Sequence, residues 1–188
     1  MLTYNDLVND FADLGLSQGD VVLIHSSYNS LGGVDGGPQA VLSALRDVVG
    51  YEGTLVMPTF NFDFCHGAPY NSQRTKSHMG VLTEMVRTHP EVSKWLHPIY
   101  PATAIGRLKF ENKLRYSSYG SDSIFQELRE QEGKILVIGL DYTQSMTFFH
   151  HVEELEEVSY REHKEFTGPV VIEEKDHVEW QLWGAADM

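Results

Sequence analysis

The sequence predicts an α/β protein with a mostly parallel central sheet flanked by helices, organised as one domain over residues 1–188. Three observations carry this. Short aliphatic runs at VVLIH (Val21–His25), EGTLVMPTF (ending its strand at Pro58) and KILVIGL (Lys134–Leu140) read as buried strands. The first two enclose a loop and a segment of helical periodicity, a strand–loop–helix–strand unit that sets its strands parallel. No internal repeat, low-complexity tract or flexible linker interrupts the chain.

Taken in order, Leu2, Leu7, Phe11, Leu14 and Leu16 recur at helical spacing, with Thr3 placed to cap the first helix. After the SQGD turn and the first strand comes SSYNSLGGVDGGPQ, rich in Gly and Ser. The helix PQAVLSALRDVVG has Pro38 in its first turn and Gly50 at its stop. A long polar and aromatic stretch from Asn61 to His78 reads as a functional or mobile loop. MGVLTEMVRTH predicts a helix closed by the His89-Pro90 step, and WLHPIYPATAIG an extended segment held by Pro98 and Pro101. SIFQELREQEG predicts a helix capped by Ser123, with Gln126 three residues on. A helical TFFHHVEELEEV (Thr147–Val158) follows the third strand, and the tail GPVVIEEKDHVEWQLW alternates like a hairpin.

Composition narrows the function. Hydrophobic residues make up 41% of the chain, with nine Phe and nine Tyr, which excludes a disordered protein. No apolar run is long enough to span a bilayer, and no basic stretch followed by an apolar core marks a secretory signal. The single cysteine, Cys65, rules out an internal disulfide framework and fits a reducing cytoplasm. Acidic residues outnumber basic ones 27 to 14, a net charge of -13. That balance disfavours nucleic acid and suits a cationic small molecule drawn in by the field, or simply serves solubility.

Three stretches bear chemistry. The loop HSSYNSLGG (His25–Gly33) lies between a strand end and a helix start, where small residues let backbone N–H groups approach an anion; it is either an anion cradle or a connector. Neither GxGxxG nor a GxxxxGK nucleotide loop is present. In TFFHHVEE, His150 and Glu153 are i,i+3 neighbours, as are His151 and Glu154. A histidine beside a carboxylate is held in one tautomer, as a general base requires; otherwise the array is an exposed acidic helix face. Metal binding is not expected, because HExxH is absent and adjacent helical positions diverge by about 100 degrees. His97, in WLHP, is either a catalytic or positioning group or a satisfied core histidine.

Together these stretches resemble the aminoglycoside 3-N-acetyltransferase family, the antibiotic N-acetyltransferases. HSSYNSLGGVDGGPQAVLSAL is similar to its HSS-x-x-SLG-x-V-x-GG-x-x-AV segment, SHMGVLTEMVR to S-x-MG-x-x-x-E-x-x-R, and HPIYPATAIG to HP-x-x-S-x-A-x-G. YGSDSIFQEL, GKILVIGL and TQSMTFFHHVEE continue the series, the last matching N-x-x-T-x-x-H-x-x-E. Tyr100-Pro101 and Gln144 depart from the pattern, and the chain stops before elements with which family members usually continue. The resemblance implies an acyltransferase fold distinct from the GNAT architecture, with acetyl-CoA as co-substrate. It implies that Ser27, Ser30, Leu31, Gly32 and Gly33 hold the CoA pyrophosphate, and that His150, with Glu153 close by, deprotonates an amine acceptor. Thr147 is a candidate for stabilising the oxyanion, His97 a supporting group, and Asp63 and Glu154 anchors for a cationic acceptor such as an aminoglycoside or amino sugar. A homodimer is expected, since the family often pairs and a short chain leaves sheet edges unmet. A CoA-binding chain without turnover, or a thioester hydrolase, is the alternative.

Overall fold

The computed structural model describes residues 1–174 and 177–187. In chain order its elements are α1 (Tyr4–Asp13), β1 (Val21–Ser26), α2 (Gly37–Val49), β2 (Thr54–Pro58), β3 (Tyr70–Asn71), α3 (Val81–Arg87), β4 (Ser93–Trp95), β5 (Ala102–Gly106), α4 (Ile124–Glu130), β6 (Lys134–Ile138), α5 (Phe148–Leu155), β7 (Lys164–Glu174) and β8 (His177–Asp187). One-turn 3₁₀ helices cover Tyr28–Leu31, Asp63–His66 and Tyr142–Gln144.

The central sheet has the order β4-β5-β2-β1-β6. The three strands read from the sequence are its parallel part: β1 pairs with β2 on one side and with β6 on the other. The β4–β5 half, read only as extended, is antiparallel. A six-residue link holding two prolines is too short for the crossover that parallel strands need, so the chain doubles back. A second sheet, β3-β7-β8, is closed by the tail hairpin, which begins at Lys164, four residues before the first alternating position of the sequence pattern. Lys175 and Asp176, between its strands, lie outside the described residues.

Side-chain alternation divides the core into two layers. Val22 and Ile24 of β1, with Leu55 and Met57 of β2, face α1, α2 and α3. Leu23 and Val56 face the other way, into an aromatic layer built from Phe60, Phe64, Trp95, Tyr100, Tyr119 and Phe125. His25 follows the Leu23 phase and is buried at the carboxyl end of β1.

The predicted caps form. Thr3 Oγ1 accepts from the Asp6 N–H at 3.2 Å while Asp6 Oδ2 accepts from the Thr3 N–H at 2.8 Å. Ser123 Oγ accepts from the Gln126 N–H at 3.3 Å. Replacing Thr3 by alanine removes one half of this reciprocal cap and is expected to lower stability by about 1 kcal/mol. Urea denaturation checks this; an unchanged midpoint would mean that tertiary packing alone holds α1.

Candidate active site

The carboxyl ends of the parallel strands bring the candidate residues to one edge of the sheet. After β6 the chain turns at Gly139 and enters the 3₁₀ turn, whose start is fixed by Asp141 Oδ1 accepting from the Thr143 N–H at 2.8 Å. Thr147 leads into α5, and the His150 N–H bonds its carbonyl at 3.0 Å.

The two adjacent histidines separate as the helical angle requires. His151 turns inward, is fully buried, and its Nδ1 contacts the carbonyl of Tyr119. His150 stays at the surface, with 34% of its side chain exposed. Its Nδ1 lies 2.7 Å from Glu153 Oε2 and 3.0 Å from Arg161 Nη2. Nδ1 cannot donate to the first and accept from the second in one tautomer. The shorter, anionic partner decides: we assign Nδ1–H as donor to Glu153, which leaves the lone pair on Nε2. Glu153 also accepts from Tyr160 Oη at 3.1 Å and Arg161 Nε at 3.1 Å. The hydrogen bond from His150, more than any other contact, holds the Glu153 carboxyl below its ordinary pKa, so it is ionised at neutral pH.

His150, Glu153, Thr147 and Arg161 share an open depression of about 460 Å³ with Gln144 and Phe149. The second predicted pair, His151 with Glu154, does not form; Glu154 bonds His163 Nε2 at 2.7 Å instead. Asp63 lies apart from the depression, its carboxylate 3.5 Å from His78 Nε2. An aromatic chain links the two regions along the sheet edge. Phe62 meets Tyr100 at 5.7 Å between ring centroids, Tyr100 meets Tyr119 at 4.9 Å, and Tyr119 meets His150 at 5.1 Å. Tyr100, a departure from the family pattern, is thus a packing element of this edge.

His97 is fully buried, outside the depression. Its Nδ1 accepts from the N–H groups of Ile99, at 3.1 Å, and Tyr100, at 2.9 Å. Its Nε2–H therefore donates to the Tyr116 carbonyl at 3.1 Å. Neither ring nitrogen is left to exchange a proton with an acceptor. The geometry is that of the satisfied histidine among the alternatives above, and its reach into the site runs through backbone. His97 and His151 grip the carbonyls of Tyr116 and Tyr119, bracketing the turn that carries the Tyr119 ring against His150. Tyr119, Tyr160 and Arg161 were not singled out by sequence reasoning. Arg161 stands eight residues beyond Glu153 and past the end of α5, where helical spacing gives no signal.

The loop Ser27–Gly33 leaves β1 beside the end of β6. The Ser27 N–H bonds the Ile138 carbonyl at 2.8 Å, and Ser27 Oγ and Ser30 Oγ are 2.8 Å apart. Gly32 closes the 3₁₀ turn in the left-handed region at φ 70°, with open space where a Cβ would stand. The loop does not line the His150 depression. Its close approach is to Gly139, itself at φ 64°, where a Cβ would fall 2.8 Å from the Ser27 carbonyl oxygen and 2.9 Å from Ser30 Cβ. Gly139→Ala is expected to displace the loop and to weaken acetyl-CoA binding at least tenfold, a loss on the order of 1.4 kcal/mol. Calorimetric titration checks this, and unchanged affinity would separate the loop from the ligand.

Among the described residues no cluster of three or more His, Cys, Asp or Glu is arranged to hold a metal ion, and no helix is long and apolar enough to cross a membrane.

Known proteins resemble the chain over most of its length. The chain is 33% identical to the SPbeta prophage-derived aminoglycoside N(3')-acetyltransferase-like protein YokD of Bacillus subtilis, covering 92% of this chain and 72% of that protein. The crystal structure of YokD superposes with a TM-score of 0.82 at 30% identity, covering 99% of this chain and 82% of that one. Aminoglycoside N(3)-acetyltransferase IX of Micromonospora chalcea is 29% identical, covering 91% of this chain and 68% of that enzyme. A binary complex of AAC-IIIb with CoASH superposes with a TM-score of 0.82 at 27% identity, covering 98% of this chain and 76% of that one. Fold and relatives together define an acyltransferase of the CoA-dependent class. The aminoglycoside 3-N-acetyltransferase family model matches residues 23–187, and the chain belongs to that family.

Proposed function

We propose that the chain transfers the acetyl group of acetyl-CoA to an amine of an aminoglycoside, amino sugar or similar cationic small molecule, with His150 as general base. The observation that carries this is the His150–Glu153 pair at 2.7 Å, opening onto the depression after β6. A protonated amine has no lone pair with which to attack a thioester. His150 Nε2 takes that proton, and Glu153, ionised and held by Tyr160 and Arg161, supports the imidazolium that forms. The freed amine attacks the thioester carbonyl, and the C–S bond breaks to release CoA. Thr147, in the same depression, is the predicted donor for the tetrahedral oxyanion. Ser27, Ser30, Leu31, Gly32 and Gly33 receive the CoA phosphates through the loop backbone and hydroxyls. The net charge of -13, with Glu154 and Asp63 along the same sheet edge, favours a cationic acceptor. No metal enters this chemistry.

The same reading places the protein in the cytoplasm, with residues 1–188 acting as one domain around the shared central sheet. It also makes the chain a homodimer, since β8 ends the second sheet with one edge unpaired among the described strands. One observation favours a CoA-binding chain without turnover: among the described residues, the loop is not part of the depression that His150 lines. CoA release from acetyl-CoA, with and without a panel of amines that includes aminoglycosides, separates the readings. Amine-dependent release supports acetyl transfer. Binding without release supports the silent form, and amine-independent release indicates thioester hydrolysis.

A further inference from the structure

A second cavity, of about 610 Å³, opens beside the edge strand β4, and its wall includes Arg87, His89, Ser93, Lys94, Asn112 and Glu173. Lys94 is half-buried there. Its Nζ bonds two uncharged acceptors, the Ser72 carbonyl at 3.0 Å and Gln73 Oε1. Among the described residues no carboxylate lies within ion-pair distance of it. Glu173 is engaged by Asn71 Nδ2 at 2.8 Å and Arg74 Nε at 3.1 Å, and Glu84 is held by Arg87 at 2.6 and 2.8 Å. Two acceptors satisfy both N–H bonds of a neutral amine and leave its lone pair over. The third N–H of an ammonium in the same place would meet no protein acceptor among the described residues, and Glu84, which opposes the loss of charge at Lys94, is itself paired with Arg87. Burial, and after it the charge of Arg87, pulls the Lys94 pKa down to about 8. Desolvation beside another cation is how lysine amines are made nucleophilic.

We propose that Lys94 is a self-acylation site: an acyl thioester, acetyl-CoA in particular, entering the β4 cavity transfers its acyl group to Nζ. The Nζ lone pair attacks the thioester carbonyl carbon, the C–S bond breaks, CoA leaves as the thiolate, and the amine proton passes to solvent. The products are Nε-acetyl-Lys94 and free CoA. No oxidant, reductant or metal is needed, and His150 takes no part. A cavity of this volume is within the range that admits a small-molecule ligand.

The test is peptide mass spectrometry of the native chain after incubation with acetyl-CoA between pH 7 and about 9.5. At pH 8 about half of an amine of that pKa is unprotonated, so Lys94 is expected to acetylate roughly tenfold faster than exposed Lys109 and Lys113. Its rate should level off above a midpoint near pH 8, and the preference should vanish in denaturing urea. Labelling no faster than Lys109 would overturn the inference, as would a rate that keeps climbing with pH. So would selectivity seen with N-hydroxysuccinimidyl acetate but not with acetyl-CoA, since the cavity would then exclude the thioester. Lys94 is also scored beside amine turnover. Turnover with a bare Lys94 sinks this inference alone, whereas acetylated Lys94 without turnover supports it and counts against the proposed function.

Discussion

His150→Ala is expected to lower amine-dependent CoA release by roughly a hundred- to ten-thousand-fold while leaving the thermal midpoint and acetyl-CoA affinity near those of the wild type. The ring is 34% exposed and packs on Tyr119 beside an open depression, so its removal opens no internal cavity of consequence. Glu153→Gln keeps an oxygen that accepts from Nδ1–H but removes the charge that stabilises the imidazolium. A smaller loss, roughly ten- to a hundredfold, is expected there, as for partners that orient a functional histidine. Steady-state kinetics with an amine acceptor decides both. Equal rates in wild type and His150→Ala would end the general-base assignment and return the array to an acidic surface helix.

Acid should unfold the protein in a window set by two histidines away from the depression. Burial pushes His25 down to about 4, and burial does the same to His97, whose Nδ1 already faces two N–H donors. Above pH 6.5 both rings are neutral in the folded and unfolded chains alike. Below it the unfolded chain takes up protons that the folded chain refuses, so stability falls as pH drops from 6.5 toward 4 and then levels. Each ring accounts for about 3 kcal/mol across that window, against a total on the order of 5–15 kcal/mol for a native protein. The urea midpoint measured at intervals from pH 7 to 4 should decline steeply below 6.5; a flat profile would show that the rings reach water. His97→Gln, which retains the donor to Tyr116, should remove about half of the decline.

Much of this architecture was written in local pattern. Aliphatic runs gave β1, β2 and β6, and the caps at Thr3 and Ser123 gave the starts of α1 and α4, because these features depend on neighbours within a few residues. The orientation of β4 and β5 was not legible, since Ser-Lys-Trp and Ala-Thr-Ala-Ile-Gly carry no sign of which strand they will join. At the site, the i,i+3 rule found His150 and Glu153 but could not tell that His151 faces inward and so leaves Glu154 to His163. That choice is set by which face of α5 meets Tyr119, a contact across 32 residues of sequence. Of the two histidines only His150 stands at the T-x-x-H-x-x-E spacing that the family resemblance singles out. His25 and His97, whose proton affinity burial lowers, look in sequence like any other histidines.

The pairing of β3 with β7 has a consequence for how the protein is made. Tyr70 and Asn71 find their partners, Val170 and Val171, a hundred residues later, and the Ser72 N–H bonds the Val171 carbonyl at 2.9 Å. Phe64 packs so near Gly168 that a Cβ there would stand 2.9 Å from its ring. During synthesis the parallel strands and their helices can assemble while β7 is still inside the ribosome. The Asn61–His78 segment, and with it Asp63 and the Lys94 acceptors Ser72 and Gln73, must wait for β7, a hundred residues further along, to emerge. Translation therefore builds the parallel scaffold before this rim, and a product stalled ahead of β7 would carry a folded sheet with an unfinished edge.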